Sequence, residues 1–341
     1  MAQEDLFRQA KLLYEAAQKV GGFAADPHEI AEKMKQLAAG LPAEDEFGCF
    51  AAWSLRCPLV HKLDQDQIPA SSKKVYQVPD FLMAFKCAGA DLAVLVEVKT
   101  SSFNPDEDGL HKDLRFSGRY YQRLANYAAL VRLPLLIAWK AGPLGWTLFD
   151  IRRMSVVSSA YRITLDMALK ENLLGVLIGD FGFTLPEKTA LSMTIKRLTP
   201  ITGGEFVGRV EDVAFENRAG ERFKSLLWPF FEMFAYTTDD VEVIEEKDLM
   251  VQRFYKVATE SVWAQWLLYP ACHGFGAKDP DWRKALVQQG FRYHLPDVLE
   301  AAIDAGKKGL VETVIHQVPH TIPDFLGGSY DSLKKTGLLP A

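Results

Sequence analysis

The run Val78-Pro79-Asp80-Phe81-Leu82-Met83-Ala84-Phe85 is followed closely by a second, Leu92-Ala93-Val94-Leu95-Val96-Glu97-Val98-Lys99-Thr100. Both are short, apolar and rich in Val, Phe and Leu, and the Lys86 to Asp91 link between them contains Gly89. The economical reading is two adjacent β-strands in a buried hairpin. Residues two apart on a strand share a face, so Glu97 and Lys99 project the same way. Asp80 enters the first strand and, across a hairpin of this register, lies roughly opposite them. Two carboxylates and an amine thus converge where an apolar sheet gives out.

Carboxylates a few ångströms apart repel unless positive charge sits between them, and Mg²⁺, held by one or two carboxylates with water and substrate phosphate, answers that need. The metal polarises a phosphoryl oxygen, a nearby lysine orients or deprotonates water, and the reaction implied is phosphodiester hydrolysis. Pro79-Asp80, sixteen residues, then Glu97-Val98-Lys99 resembles the signature of the PD-(D/E)XK nuclease superfamily. The resemblance covers roughly residues 44–151. It implies an α/β chain with a restriction endonuclease-like core, a mixed β-sheet flanked by helices. It further implies Asp80 and Glu97 as ligands of Mg²⁺ or Mn²⁺, the backbone carbonyl of Val98 as an additional ligand, and Lys99 as the residue that orients or activates water. In the resembled family a helix before the motif strands supplies another acid, for which Glu46 is the choice; simple capping of a helix by Glu44-Asp45-Glu46 is the alternative. The helix after the motif can carry a Gln and a Tyr near the site. Gln122 is the candidate, although Tyr127 stands five residues on rather than four, and Tyr120 or Tyr121 could serve instead. Read without the resemblance, Glu97 and Lys99 form an ion pair at the sheet edge, with Asp80 a turn residue after Pro79.

The rest of the chain falls into expectations around that motif. Residues 1–43 read as two amphipathic helices, over 2–20 and from Asp26-Pro27 to Gly40. In the core, 44–151, a short helix runs to about Leu55, a short strand falls within 58–68, and Pro69-Ala-Ser-Ser is a loop. Residues 100–109 form a polar loop over the site. Leu114 to Leu133 reads as one long helix on which Arg115, Arg119 and Arg123 make a nucleic-acid-facing stripe, every fourth residue. Residues 134–140 and 146–151 are hairpin strands. Residues 152–341 form an additional α+β region for substrate recognition or partner binding. It has strands over 173–178, 191–198, 205–217 and 222–227, and becomes helical from about Leu249, through Trp263, Trp282, Leu286 and Ala302.

A net charge of −5 excludes a chain coated in basic charge, yet His111 to Arg153 holds eight Lys or Arg against two acids, while Glu211 to Met250 holds eleven acids against four basic residues. A local phosphate-tracking face beside the motif is the consequence. Cys49, Cys57, Cys87 and Cys272 form no CxxC pair and read as reduced thiols, with no iron–sulfur cluster expected. His316 and His320, four apart, lack a third ligand. No run approaches the ~20 apolar residues of a membrane span, and the N-terminus has no signal pattern, so a cytoplasmic protein without membrane contact is expected. The expected activity is that of a Mg²⁺-dependent deoxyribonuclease, an endonuclease of a prokaryotic defence or recombination system, with RNA the less favoured polymer. An ATPase or helicase partner and a homodimer both suit it. The alternatives are a catalytically inactive nuclease-fold subunit that binds nucleic acid or assembles a complex, and an interaction protein working through its Trp-rich C-terminal half.

Overall fold

Residues 78–100 do form a hairpin, and it is the middle of a five-stranded sheet. The computed structural model describes residues 43–63, 69–87, 90–101, 112–141, 145–200, 206–224, 240–246, 248–268 and 290–316, with 229, 234 and 271 besides. Helix α1 (residues 43–53) leads to β1 (Leu59–Lys62), which pairs antiparallel with β2 (Phe81–Cys87). Strand β2 in turn pairs antiparallel with β3 (Ala90–Ser101), Phe81 opposite Val96 and Lys86 opposite Asp91. The link expected over 86–91 is therefore mostly ladder.

From β3 the chain passes through β4 (Asp113–Ser117) and helix α2 (Gly118–Val131) before β5 (Leu135–Ala141) lies down parallel to β3. A parallel pair requires such a crossover. Strand β6 (Trp146–Asp150) then adds antiparallel to β5, giving the order β1-β2-β3-β5-β6.

Alternation along β3 divides the interior. Val94, Val96 and Val98 join Leu136 and Ala138 in one cluster with Phe47, Phe50 and Trp53 of α1, whereas Leu95 joins Ile137 and Trp139 in a second cluster with Leu124 and Ala128 of α2. The sheet is covered by a helix on each face, which is why β3 and β5 are continuous apolar runs. Phe47, Phe50 and Ala51 are fully buried at helical spacing on α1, each large side chain contributing ~2–3 kcal/mol by leaving water.

The first cluster also contains Phe181, Val262 and Val298, so packing runs across residue 151 into the C-terminal region. That region begins with β7 (Ser155–Val157) and β8 (Ala160–Thr164), which complete a small sheet of order β4-β8-β7. Helices α3 (Leu165–Lys170) and α4 (Leu174–Leu177) lead to β9 (Phe181–Leu185). Next come β10 (Ala190–Pro200), β11 (Phe206–Glu216), β12 (Arg222–Phe223), β13 (Asp240–Glu246) and β14 (Leu249–Tyr255), arranged β12-β11-β10-β14-β13. Strand β15 (Glu260–Trp263), helix α5 (Leu295–Lys307) and β16 (Thr313–His316) follow, with β15 and β16 flanking β9.

Several expectations are corrected. Helix α2 starts at Gly118, not Leu114: Leu114 and Phe116 are buried in alternation with Arg115 and Ser117, a strand's period, and Ser117 Oγ caps the helix by accepting Tyr120 N at 3.2 Å. Residues 70–74 are a 3₁₀ helix rather than a loop. The run 173–178 contains helix α4, because Asn172 Oδ1 accepts both Leu148 N (3.0 Å) and Leu174 N (3.1 Å) and turns the chain there. A short apolar run is ambiguous between buried strand and buried helix until such a contact decides. Residues 249–255 and 260–263 are strands, since pairing with β10, β13 and β9 overrides a locally helical spacing. His316 ends strand β16. The expected helices of 1–42, the loop 102–109, Trp282, Leu286 and His320 lie outside the described residues. Among the described residues no helix is long and apolar enough to cross a membrane.

Candidate active site

Asp80 stands one residue before β2 and is fixed twice. Its carbonyl accepts Leu63 N at 2.8 Å, and its carboxylate Oδ2 accepts Val98 N at 2.7 Å. Strand β2 begins opposite Val96, so the Val98 N–H beyond it has lost its strand partner, and the Asp80 side chain takes that place.

Glu97 and Lys99 share the α2 face of β3. Glu97 is only 2% exposed. Its Oε1 accepts from Lys99 Nζ and from the Tyr120 hydroxyl at the start of α2. Lys99 Nζ also donates to the Val98 carbonyl at 3.0 Å and lies 5.4 Å from the centre of the Tyr120 ring. Glu97 Oε2 is buried and has no hydrogen-bond partner among the described residues.

The electrostatics follow from this crowding. Burial and then the Glu97 charge push the Asp80 carboxyl up to about 7, against the lowering pull of Lys99 and the Val98 N–H. Burial opposes the Lys99 charge, yet Glu97, Tyr120 and Asp80 outweigh it, and the ammonium is held above its ordinary value. Burial and Glu97 raise the Tyr120 phenol, which stays a proton donor.

These donors suit a hard divalent cation. Carboxylate oxygens of Asp80 and Glu97 and the Val98 carbonyl are the ligand type Mg²⁺ or Mn²⁺ takes. An orphaned buried carboxylate oxygen and a neighbouring acid driven towards neutrality are both relieved by positive charge. No cluster of three metal-ligating side chains occurs among the described residues, so water and substrate would complete the shell. Glu97 Oε1 and the Val98 carbonyl, however, already hold Lys99.

Glu46, expected here, is not brought to the cluster. Its carboxylate accepts from Lys140 Nζ at 2.6 and 2.7 Å and from Trp146 Nε1 at 3.1 Å. The acid of α1 whose charge reaches Asp80 is Glu44, which also pairs with Lys62 at 2.7 Å. Two residues turn a helix by ~200°, so the two acids point apart. The signal available was the phase of Phe47 and Phe50, but sequence alone left open which side of the sheet they cover.

Gln122 is exposed and donates to Asn126 Oδ1 at 2.8 Å, away from the site. Tyr120, the alternative at that helix, is the residue in contact. The arginine stripe breaks up: Arg115 lies on β4 against Asp113, and Arg123 ties down the approach to β2 through Tyr76 O (3.3 Å) and Gln77 Oε1 (3.0 Å). Arg119 is exposed on α2. Ser101 Oγ accepts from Trp139 Nε1 at 3.0 Å.

No family model and no curated protein matches the chain. Among solved structures it is similar to Hjc of Archaeoglobus fulgidus, a Holliday junction resolvase from an archaeal hyperthermophile, at 14% identity, over 38% of this chain and 85% of that one, with a TM-score of 0.28. A likeness at that level leaves the chemistry to be read from Asp80, Glu97 and Lys99 themselves.

Proposed function

We propose that this chain is a Mg²⁺- or Mn²⁺-dependent nuclease that hydrolyses phosphodiester bonds in DNA, with Asp80, Glu97 and the Val98 carbonyl holding the ion. The observation that carries the reading is Glu97 Oε2, a buried carboxylate oxygen without a hydrogen-bond partner among the described residues, beside an Asp80 whose pKa is pushed up to about 7. A buried anionic acceptor left unpaired costs stability unless a cation compensates it. Such an ion supplies positive charge to a phosphoryl oxygen and lowers the pKa of water.

The chain's own residues do the rest. Lys99 stays an ammonium, so it donates to water or to a phosphate oxygen and stabilises developing negative charge rather than taking up a proton. Tyr120 fixes the Glu97 rotamer. The endonuclease mode, the defence or recombination setting, and an ATPase, helicase or second copy as partner are carried by the family resemblance of the motif alone.

Supercoiled plasmid incubated with Mg²⁺ or Mn²⁺ tests the reading, beside Glu97→Ala and Lys99→Ala proteins with unchanged circular dichroism. The expected result is nicking or linearisation by the wild type and a loss of about 10²-fold or more in each variant. Cleavage surviving both substitutions overturns the site, and no cleavage with either metal overturns the activity. One observation favours a second reading, a non-catalytic nucleic-acid-binding subunit: Lys99 occupies Glu97 Oε1 and the Val98 carbonyl. That version gives metal-independent binding and no cleavage.

A further inference from the structure

The small sheet β4-β8-β7 stands beside the candidate site, and its outward face is basic. Leu114, Phe116 and Ile163 point inward and are buried, so the alternate residues Arg115 and Arg162, directly opposite each other across β4 and β8, point outward. Ser155 of β7 faces Arg162 in turn. Like charges directly opposed across strands repel, and here a single acid answers both. Asp113 accepts from Arg115 Nε and Nη2 at 3.0 and 2.8 Å, and from Arg162 Nη1 only at 3.5 Å. The acid is the inner partner: its side chain is 19% exposed against 66% for Arg115 and 40% for Arg162. The surface thus presents two guanidiniums over one covered carboxylate, with most of the Arg162 donors unused among the described residues.

Position gives this pair a use. The turn between β7 and β8 is pinned to the first residue of α2, Ser159 O accepting Gly118 N at 3.0 Å, and a Cβ at Gly118 would sit 2.8 Å from that oxygen. Two residues further along α2 is Tyr120, which contacts Glu97. Arg115 adjoins Phe116, whose ring packs edge-on against Tyr120 with centroids 5.2 Å apart, so the pair sits next to the wall of the carboxylate site, on the outer face of β4.

We propose that Arg115 and Arg162 form a phosphate clamp that binds the DNA backbone beside the cleavage site, an inference that rests on the nuclease reading for its choice of ligand. Strands β7 and β8, with Arg162, lie outside residues 44–151, whereas β4 and Arg115 lie within them. The planar guanidiniums suit phosphate oxygens, and the contact carries no base information.

The test is fluorescence anisotropy with a labelled 30-base-pair DNA duplex in EDTA between 50 and 200 mM KCl, using the full chain. Arg115→Gln/Arg162→Gln is expected to weaken binding at least tenfold and to reduce the slope of log K against log salt by ~1.8, two phosphate contacts at ~0.9 each. Asp113→Asn, which removes the counter-ion and keeps both guanidiniums, is expected to bind as tightly as wild type or tighter. A purely structural role for the triad predicts that Asp113→Asn weakens binding like the arginine variants, and that result overturns the clamp. Unchanged affinity and salt slope in the double variant also overturn it, as does an absence of wild-type binding. The two readings fail separately. Plasmid cleavage by wild type with binding untouched in the double variant sinks the clamp alone, and a clamp-dependent duplex interaction without cleavage sinks the nuclease activity alone.

Discussion

Replacing Asp80 by Asn should stabilise the protein at alkaline pH and do little at acid pH. The folded-state pKa of Asp80 is raised from 3.8 to about 7, so between those values the native state binds more protons than the unfolded chain and stability falls as pH rises. The penalty is absent below pH 4 and complete above pH 7. At 1.36 kcal/mol per unit the shift corresponds to about 4 kcal/mol at pH 8 against less than about 1 kcal/mol at pH 4, and residual exposure reduces the larger figure to about 2–4 kcal/mol. Asparagine retains an oxygen for the Val98 N–H, which Asp80 now accepts at 2.7 Å, so the comparison isolates the charge. Thermal melts followed by circular dichroism in EDTA should show the variant several degrees above wild type at pH 8 and level with it at pH 4. Added Mg²⁺ should raise the wild-type Tm most at pH 8, because the cation offsets the same repulsion, and should barely move the variant. An Asp80→Asn protein no more stable than wild type at pH 8 refutes the reasoning that burial and the Glu97 charge outweigh Lys99 at Asp80.

Two further substitutions separate the site from its surroundings. Tyr120→Phe removes the hydroxyl that donates to Glu97 Oε1; a hydrogen bond to a charged group is worth ~1.5–3 kcal/mol, so cleavage kcat should fall by roughly ten- to a hundredfold with KM little changed in steady-state nicking assays. Glu46→Gln breaks the pair with Lys140 and should lower stability by about 1 kcal/mol in urea melts while cleavage persists; loss of cleavage in a folded Glu46→Gln protein would restore Glu46 to the site.

The hairpin was legible because its signal is local. Phe81, Met83 and Phe85 on one strand and Val94, Val96 and Val98 on the next alternate with period two, and that period alone places Glu97 and Lys99 on a common face. The chain beyond could be read only in part. Leu173 to Ile178 carries no period that distinguishes strand from helix, and the strand 249–255 is made by pairing with the adjacent β13 and with β10, which lies far off in sequence. Helix α2 was misplaced by four residues because a repeat of arginines at helical spacing also fits a strand followed by a capped helix, and Ser117 decides between them only through its bond to Tyr120 N.

Sequence by itself determined which side chains meet at the end of the hairpin, the acids Asp80 and Glu97 with Lys99, since strand alternation and spacing are properties of neighbouring residues. Tertiary structure decided what surrounds them. Glu44 rather than Glu46 reaches Asp80, Tyr120 rather than Gln122 meets Glu97, and Arg115 faces Arg162 across a sheet instead of Arg119 along a helix. Each of those choices depends on how a helix is rotated or a strand registered against a distant partner, and that phase is fixed by burial against the rest of the fold.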